Sequence, residues 1–102
     1  MFNSGDVGGV EELVHAEYHD HQGLYGEPRF GPTGFAEVVA VARSGCATLD
    51  VTVEDLVEQG DRAAARLRWR GTRRTGERVE RETLEMIRVR DGLAVEHWGG
   101  RS

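Results

Sequence analysis

Four consecutive residues, Tyr18-His19-Asp20-His21, have side chains that could carry acid–base chemistry. Histidine suits proton transfer because its reference pKa of about 6.5 lies near neutral pH. In that interpretation the Asp20 carboxylate orients the imidazole of His21. If the segment is extended, Tyr18 and Asp20 share one face, and His19 and His21 share the other. The alternative is that Asp20 caps a turn and the histidines face solvent.

The same segment also suggests a metal cluster, which we do not expect to form. His15, His19 and His21 lie close to Asp20 in the sequence, and histidines at i and i+4 share a helix face. However, His15 and His19 lie on either side of the expected end of a helix, and no distant ligand is evident. We therefore predict neither a metal site nor an organic cofactor.

Two further carboxylates lie in a strand-like part of the chain. Glu85 interrupts an otherwise apolar run, and Glu96 shares a strand face with Trp98. A carboxylate held beside apolar walls has a raised pKa and can act as acid or base. Pairing with an arginine of a neighbouring strand is the more common outcome and is favoured for both residues. The arginines available for such pairs are Arg66, Arg68, Arg70 and Arg88.

Aromatic side chains could shape a ligand pocket. Tyr18 and Tyr25 could donate a hydrogen bond to a substrate carbonyl and stabilise an enolate. Tryptophans are more often core residues than ligand platforms, but in a hollow fold they can line the cavity as core residues. The expected ligand-contacting residues are Phe35, Trp69, Trp98, Tyr25 and Met86.

A hairpin is the element most strongly predicted to position these groups. Residues 84–98 form two alternating runs joined at Arg90-Asp91-Gly92, and Asp-Gly between such runs is typical of a hairpin turn. In the second run Glu96 and Trp98 alternate with His97. Both faces carry apolar residues, so we expect this hairpin in the middle of a sheet, covered on both sides.

Two helices are predicted before the strands. Residues 7–16 show apolar residues at helical spacing, with candidate N-caps at residues 3–6, although Gly8 and Gly9 shorten this helix. Pro32 opens a second helix that ends near Gly45. Strands then follow at residues 49–57 and 62–72, with a bulge at Leu56-Val57.

This order of elements predicts a single α+β domain over residues 1–102. Helices followed by a four-stranded antiparallel meander place the helices on one face of the sheet. Long strands with a bulge curve strongly, so the expected shape is a cone covered by two N-terminal helices. The open end of such a cone is a natural ligand pocket.

Composition narrows the class of protein. The chain has 102 residues and a net charge of −5, which disfavours binding to a phosphate backbone. No apolar run approaches the roughly 18 residues of a membrane span, and the N-terminus has no secretory pattern. One cysteine, Cys46, excludes an internal disulfide and fits a reducing cytoplasm.

An ordered set of short motifs gives the chain a family resemblance. The motifs are Phe2-Asn3-Ser4-Gly5-Asp6, Tyr18-His19-Asp20-His21, Gly34-Phe35, Val53-Glu54-Asp55-Leu56-Val57, Gly60-Asp61-Arg62, Arg66, Gly71-Thr72 with Gly76-Glu77, and Arg88-Val89-Arg90-Asp91-Gly92 through Glu96-His97-Trp98. Together they resemble a SnoaL-like polyketide cyclase domain of the nuclear-transport-factor-2-like, ketosteroid-isomerase-like superfamily. The resemblance implies a conical α+β barrel with an apolar pocket, a dimer formed through the sheet, and no metal or organic cofactor. Its members include aldol cyclases, isomerases, dehydratases and epoxide hydrolases, and many have no known activity.

The chain departs from this family pattern in three places. Such domains usually begin with a further helix, and its absence would leave the cone open or covered by a partner chain; a misassigned start codon is the alternative. An acid often found shortly after the His97-Trp98 pair is missing, and a histidine common after Gly-Thr is replaced by Arg73.

Two hypotheses follow. The first is an enzyme that moves protons on a small apolar, carbonyl-bearing molecule, with His21 and Asp20 as the acid–base pair, assisted by Tyr18 and Glu85. The second is a ligand-binding or dimerisation module of the same fold without chemistry. Nucleic acid and membrane are not expected partners.

Overall fold

A computed structural model describes the backbone of Phe2 and of residues 8–101, and the side chains of Phe2 and of residues 8–99. After one 3-10 turn at Val10–Glu12, the elements are β1 (Val14–Leu24), β2 (Glu27–Phe30), α1 (Gly31–Ser44), β3 (Cys46–Gln59), β4 (Arg62–Arg73), β5 (Arg78–Arg90) and β6 (Leu93–Arg101). The α+β class is as expected.

The expectation of two helices is wrong for the described residues. The segment expected to continue the first helix is a 3-10 turn followed by β1. Gly9, which precedes that turn, has φ +78°, a left-handed conformation that glycine adopts without strain and that interrupts a helix. The candidate N-caps at residues 3–6 lie outside the described residues.

All six strands form one mixed sheet in the order β2-β1-β6-β5-β4-β3. The antiparallel meander β3 to β6 is present as expected, but two strands extend it, because β1 pairs with β6 in parallel and β2 pairs with β1. The β5–β6 hairpin therefore lies in the middle of the sheet, as predicted. The irregularity expected in β3 at Leu56-Val57 lies slightly earlier, between Val53 and Asp55.

The register of the central hairpin separates its side chains into two sets. Ile87 is paired with His97, and Met86 is paired with Trp98. Directly opposed residues point to the same side of a sheet, and neighbours along a strand point to opposite sides. His97 and Trp98 therefore lie on opposite faces.

Helix α1 packs against β1 and covers one of these faces. Pro32 lies in its first turn, and Val39, the most deeply buried large side chain of the described residues, has an exposed fraction of 0%. Tyr18 of β1 contacts Phe35 of α1 edge to face, with ring centroids 6.0 Å apart. We call the side with Tyr18, Asp20 and His97 the helix face, and the side with His21 and Trp98 the outer face.

Candidate active site

Three side chains on the helix face are joined by hydrogen bonds. His97 Nδ1 lies 2.7 Å from Asp20 Oδ1, and His97 Nε2 lies 2.8 Å from Glu85 Oε1. The strands explain this contact, because Asp20 of β1 is paired with His97 of β6, and Glu85 lies on β5 beside it. An imidazole held between two carboxylates donates a hydrogen bond from each ring nitrogen when it is doubly protonated.

The charge of His97 is set by these neighbours. Burial by itself lowers the pKa of His97, but the hydrogen bonds and negative charges of Asp20 and Glu85 outweigh it and raise the pKa from 6.5 to about 9. The ring is therefore an imidazolium at neutral pH. Its positive charge offsets part of the negative charge that the two carboxylates bring into this face.

Asp20 is fixed by a local turn as well as by His97. The backbone N–H groups of Gln22 and Gly23 donate to Asp20 Oδ1 at 3.0 and 3.1 Å. Burial raises the pKa of Asp20, but the hydrogen bonds from His97, Gly23 and Gln22 outweigh it and lower the pKa below its ordinary value. Gly23 has φ +56°, and a Cβ there would lie 1.8 Å from the carbonyl oxygen of Glu27, so the turn requires glycine.

Glu85 has one free oxygen. Its Oε1 bonds to His97, whereas its buried Oε2 has no hydrogen-bond partner in the part of the chain that the structure describes. The expected arginine pair is therefore wrong for Glu85, whose side chain points away from the arginines of the outer face. The expectation is confirmed for Glu96, which accepts a hydrogen bond from Arg88 at 2.5 Å.

Tyr18 adds a phenol beside these carboxylates. Burial raises the pKa of Tyr18 well above its ordinary value, and the negative charges of Asp20 and Glu85 raise it further. The hydroxyl therefore stays protonated across the physiological range. It remains a hydrogen-bond donor rather than a base.

A series of aromatic rings continues the helix face from Tyr18 towards β4. Phe35 contacts both Tyr18 and Phe2, and Phe2 contacts Trp69 with ring centroids 5.1 Å apart. The indole N–H of Trp69 donates to Thr83 Oγ1 at 2.8 Å. Phe35 and Trp69 therefore lie on the same face as the acid–imidazole cluster.

His21 lies elsewhere. Its imidazole is on the outer face, stacked on Trp98 with centroids 4.9 Å apart, and its Nε2 is 2.9 Å from Glu96 Oε2. The expected contact between Asp20 and His21 is not formed, since adjacent residues of a strand point to opposite sides. Roles assigned to His21 stay predictions.

The remaining expected ligand contacts are also separated. Trp98 and Met86 lie on the outer face, where the Arg62 guanidinium is 5.3 Å from the Trp98 ring centroid. Tyr25 lies in the β1–β2 turn and is 84% exposed. The expected set of ligand contacts is therefore divided between the two faces and an exposed turn.

His97 is not among the site residues predicted from the sequence. The alternation of the hairpin already separates His97 from Glu96 and Trp98 and groups it with Leu93 and Val95. Val95 is buried. A histidine on the apolar side of a central strand was the signal that could have identified it.

The outer face carries an ion-paired row, as expected for Arg66, Arg68 and Arg70. Arg66 bonds to Asp55 and Glu82, each at 2.8 Å, and Arg68 bonds to Glu80 at 2.6 Å. Arginine side chains here are therefore matched by carboxylates on neighbouring strands.

Two surface depressions lie away from the acid–imidazole cluster. One, of about 660 Å³, lies where β3, β4 and β5 adjoin around Gly71, and the other, of about 380 Å³, lies around Gly60 and Gly92. Neither is lined by Asp20, Glu85 or His97. Both are open to solvent, so we place the candidate chemistry at the cluster, where buried ionisable groups meet.

Within the described residues, no three His, Cys, Asp or Glu side chains are arranged to hold a metal ion. No helix of that part of the chain is both long and apolar enough to span a bilayer.

The fold corresponds to a known class of protein. One helix on a six-stranded mixed sheet is consistent with the fold of nuclear-transport-factor-2-like domains. Within that class, residues 1–100 match the model of the SnoaL-like polyketide cyclase family, and the chain belongs to this family.

Solved structures agree with this assignment. Wild-type IdmH from Streptomyces antibioticus, described as a candidate polyketide cyclase, is 34% identical (TM-score 0.83), with 97% of this chain and 82% of IdmH covered. TsrD from Streptomyces laurentii is 26% identical (TM-score 0.82; 97% and 78% covered). A Bacillus cereus protein described in the same terms as IdmH is 24% identical (TM-score 0.87; 99% and 66% covered) and supports the fold alone. No curated protein matches the chain.

Proposed function

We propose that this protein is a small-molecule enzyme of the cyclase or isomerase type, acting by proton transfer at Asp20, His97 and Glu85. The observation that carries the proposal is the buried Glu85 Oε2, which has no hydrogen-bond partner among the described residues. An unpaired buried carboxylate oxygen costs folding free energy, and a catalytic role explains why such an oxygen is kept. Glu85 lies beside the His97 imidazolium and the protonated phenol of Tyr18, and a carboxylate grouped with such proton donors is a candidate general base.

Each residue has a distinct part in the proposed reaction. Glu85 Oε2 takes a proton from the carbon next to a substrate carbonyl, and the C–H electron pair moves into an enolate. Tyr18 is the nearby phenol that can donate a hydrogen bond to the enolate oxygen. Asp20 holds the His97 ring in place, and His97 holds Glu85.

The remaining steps balance without a cofactor. The enolate carbon bonds to a second carbonyl carbon of the same molecule, and the oxygen of that carbonyl takes the proton back from Glu85. For an isomerase, the proton returns to a different carbon of the enolate system. The role predicted for His21 passes to His97 in this proposal, since only His97 lies on the helix face.

The substrate class follows from the walls of the site. Phe35 and Trp69 are apolar surfaces beside a polar cluster, which suits a small, largely apolar molecule carrying a carbonyl group. The expected conical pocket would lie between α1 and the sheet. A reducing cytoplasm is the proposed location, supported by the single cysteine.

Deuterium exchange of a simple ketone tests the proposal. Acetophenone in D2O loses its methyl proton NMR signal when a base removes those protons, and we expect the protein to accelerate this loss. Glu85→Gln should slow the protein-catalysed exchange by about a hundredfold or more, the usual contribution of a general base. Glu96→Gln is the matched control, because Glu96 lies on the outer face.

The outcomes are distinct. Glu85→Gln should keep the wild-type circular dichroism spectrum while losing exchange, and Glu96→Gln should keep both. Wild-type exchange at the buffer rate, or Glu85→Gln exchange at the wild-type rate, would contradict the proposed enzyme.

A second candidate function is a dimerisation module, with a homodimer formed through the sheet. The observation that favours it is apolar surface on the outer face: Leu84 is 55% exposed and Val57 67% exposed, on the same side as Met86 and Trp98. Uncovered apolar surface of this kind often marks an interface. Analytical ultracentrifugation tests it: Leu84→Asp should shift a dimer towards monomer, and a wild-type monomer would exclude it.

A further inference from the structure

The larger surface depression, of about 660 Å³, is a trough on the outer face between two rows of side chains. Each row crosses β3, β4 and β5 at paired positions: Asp50, Arg70 and Glu80 form one row, and Thr48, Thr72 and Arg78 form the other. Gly71 lies between the rows, and its own row faces the helix side, so the floor of the trough is backbone. The volume lies within the roughly 300–1,000 Å³ of small-molecule sites. We call this depression the Gly71 trough.

Two opposite charges on the walls of the Gly71 trough are unpaired. Arg66, Arg68 and Arg70 of the same face each pair with a carboxylate on a neighbouring strand. Arg78, in contrast, has no carboxylate partner within the described part of the chain, and Asp50 has no basic partner there. Both side chains are exposed, so a molecule arriving from solvent can reach them.

The register of the strands keeps Arg78 and Asp50 apart. They lie two strands from each other and in different rows, which places their Cα atoms about 12 Å apart at the usual strand spacing and rise per residue. Arg70, which lies opposite Asp50, bonds to Glu80 at 3.3 Å, so its charge is already matched. One positive and one negative charge therefore border the same trough without a partner.

This pattern of charge suits a ligand that carries both signs. A simple anion at Arg78 also meets the negative field of Asp50, and a simple cation at Asp50 meets the positive field of Arg78. A guanidinium binds a carboxylate through two parallel N–H donors, and a carboxylate accepts hydrogen bonds from an ammonium group. The hydroxyl groups of Thr48 and Thr72 share the row of Arg78 and can donate to the same bound carboxylate.

We propose that the Gly71 trough is a binding site for a small zwitterion, with the carboxylate of the ligand held by Arg78 and its ammonium group held by Asp50. The ligand class is an amino acid or short peptide whose two charges are separated by several bonds. The trough lies on the outer face and the acid–imidazole cluster lies on the helix face, so this proposal does not depend on the proposed function.

Titration of 15N-labelled protein with 6-aminohexanoate tests the site, because this molecule carries its ammonium and carboxylate groups at opposite ends of a flexible chain. The backbone N–H signals of Gly71 and Thr72 should shift, with a dissociation constant on the order of millimolar, as expected for exposed charge pairs. Hexanoate and hexylamine each lack one charge and should bind about threefold more weakly. Free glycine, whose charges are too close together to reach both residues, should show the same weakening.

Two variants assign the two ends of the ligand. Arg78→Gln should remove the preference for 6-aminohexanoate over hexylamine, and Asp50→Asn should remove the preference over hexanoate. Arg81→Gln is the matched control and should bind as wild type does, because Arg81 is exposed on the same strand but is paired with Trp69 of the helix face. Circular dichroism spectra should match wild type for all three variants.

Three results would overturn the site. The first is that 6-aminohexanoate leaves the Gly71 and Thr72 signals of wild type unchanged. The second is that hexanoate, hexylamine or free glycine binds to wild type as tightly as 6-aminohexanoate does, which needs no variant to establish. The third is that Arg78→Gln or Asp50→Asn keeps the wild-type preference for 6-aminohexanoate.

Discussion

His97 Nδ1 lies 2.7 Å from Asp20 Oδ1, although the two residues are 77 positions apart in the chain. The contact joins the first strand of the sheet to the last, in the only parallel pairing among the described strands. It also fixes the ring so that its other nitrogen reaches Glu85. The geometry of the candidate active site therefore depends on this one strand pairing.

The stability of the protein should fall as the pH rises from about 6.5 to 9. The pKa of His97 is raised from 6.5 to about 9 in the folded chain, so its contribution is complete below the unfolded pKa and is lost as the pH passes through the folded one. At its largest, this contribution is on the order of 3 kcal/mol of unfolding free energy. Urea unfolding at a series of pH values measures it.

His97→Gln removes this pH dependence, whereas His21→Gln, on the outer face, should retain it. Asp20 affects stability at acidic pH instead. Because folding lowers the pKa of Asp20, its contribution to stability is present above its ordinary pKa and is lost on acidification. A wild-type unfolding free energy that is constant from pH 6.5 to 9 would show that His97 is not held as an imidazolium.

Thr83→Val should destabilise the fold by about 1–3 kcal/mol, because it leaves the partly buried indole N–H of Trp69 unpaired. Thr83 is 8% exposed and accepts the hydrogen bond from Trp69 Nε1, and valine keeps the side-chain shape without the acceptor. Urea unfolding gives the change in free energy. Thr52→Val, at an exposed position of β3, is the control and should change stability by less than about 0.5 kcal/mol.

Val39→Ala should loosen the packing of α1 on the sheet. Val39 is fully buried, so losing two methyl groups and leaving a cavity should cost about 2 kcal/mol. Val57→Ala makes the same chemical change at a residue that is mostly exposed, and should cost far less. Equal shifts in the two midpoints of thermal unfolding would mean that α1 does not cover this face.

The local pattern of the sequence predicted which residues share a face. Alternation placed Tyr18 with Asp20 and separated His97 from Trp98, and the structure agrees on both. Asp91-Gly92 predicted the central hairpin, and Pro32 predicted the start of α1. These features depend on neighbours a few residues apart, which the sequence displays directly.

The spacing of Val10, Leu13 and Val14 fits a helical period and predicts a helix that continues to residue 16. In the folded chain, Val14 instead begins β1 and is buried beside Val10 and Tyr18. Spacing over a few residues does not separate a helix from a turn followed by a strand. The glycines at 8 and 9 were the stronger local indication, because they disfavour a continuous helix.

Residue types alone determined that this protein has carboxylates, histidines and a phenol able to move protons, and alternation determined the side of each strand on which they lie. Only the tertiary structure decided that Asp20 meets His97 rather than His21, and that Glu85 meets His97 rather than an arginine. The physical reason is that side chains alternate between the two faces of a sheet along each strand, and this alternation fixes the direction of every side chain. The residue that a side chain meets depends instead on which strand lies alongside. The parallel pairing of β1 with β6 is a long-range contact that the local pattern does not encode.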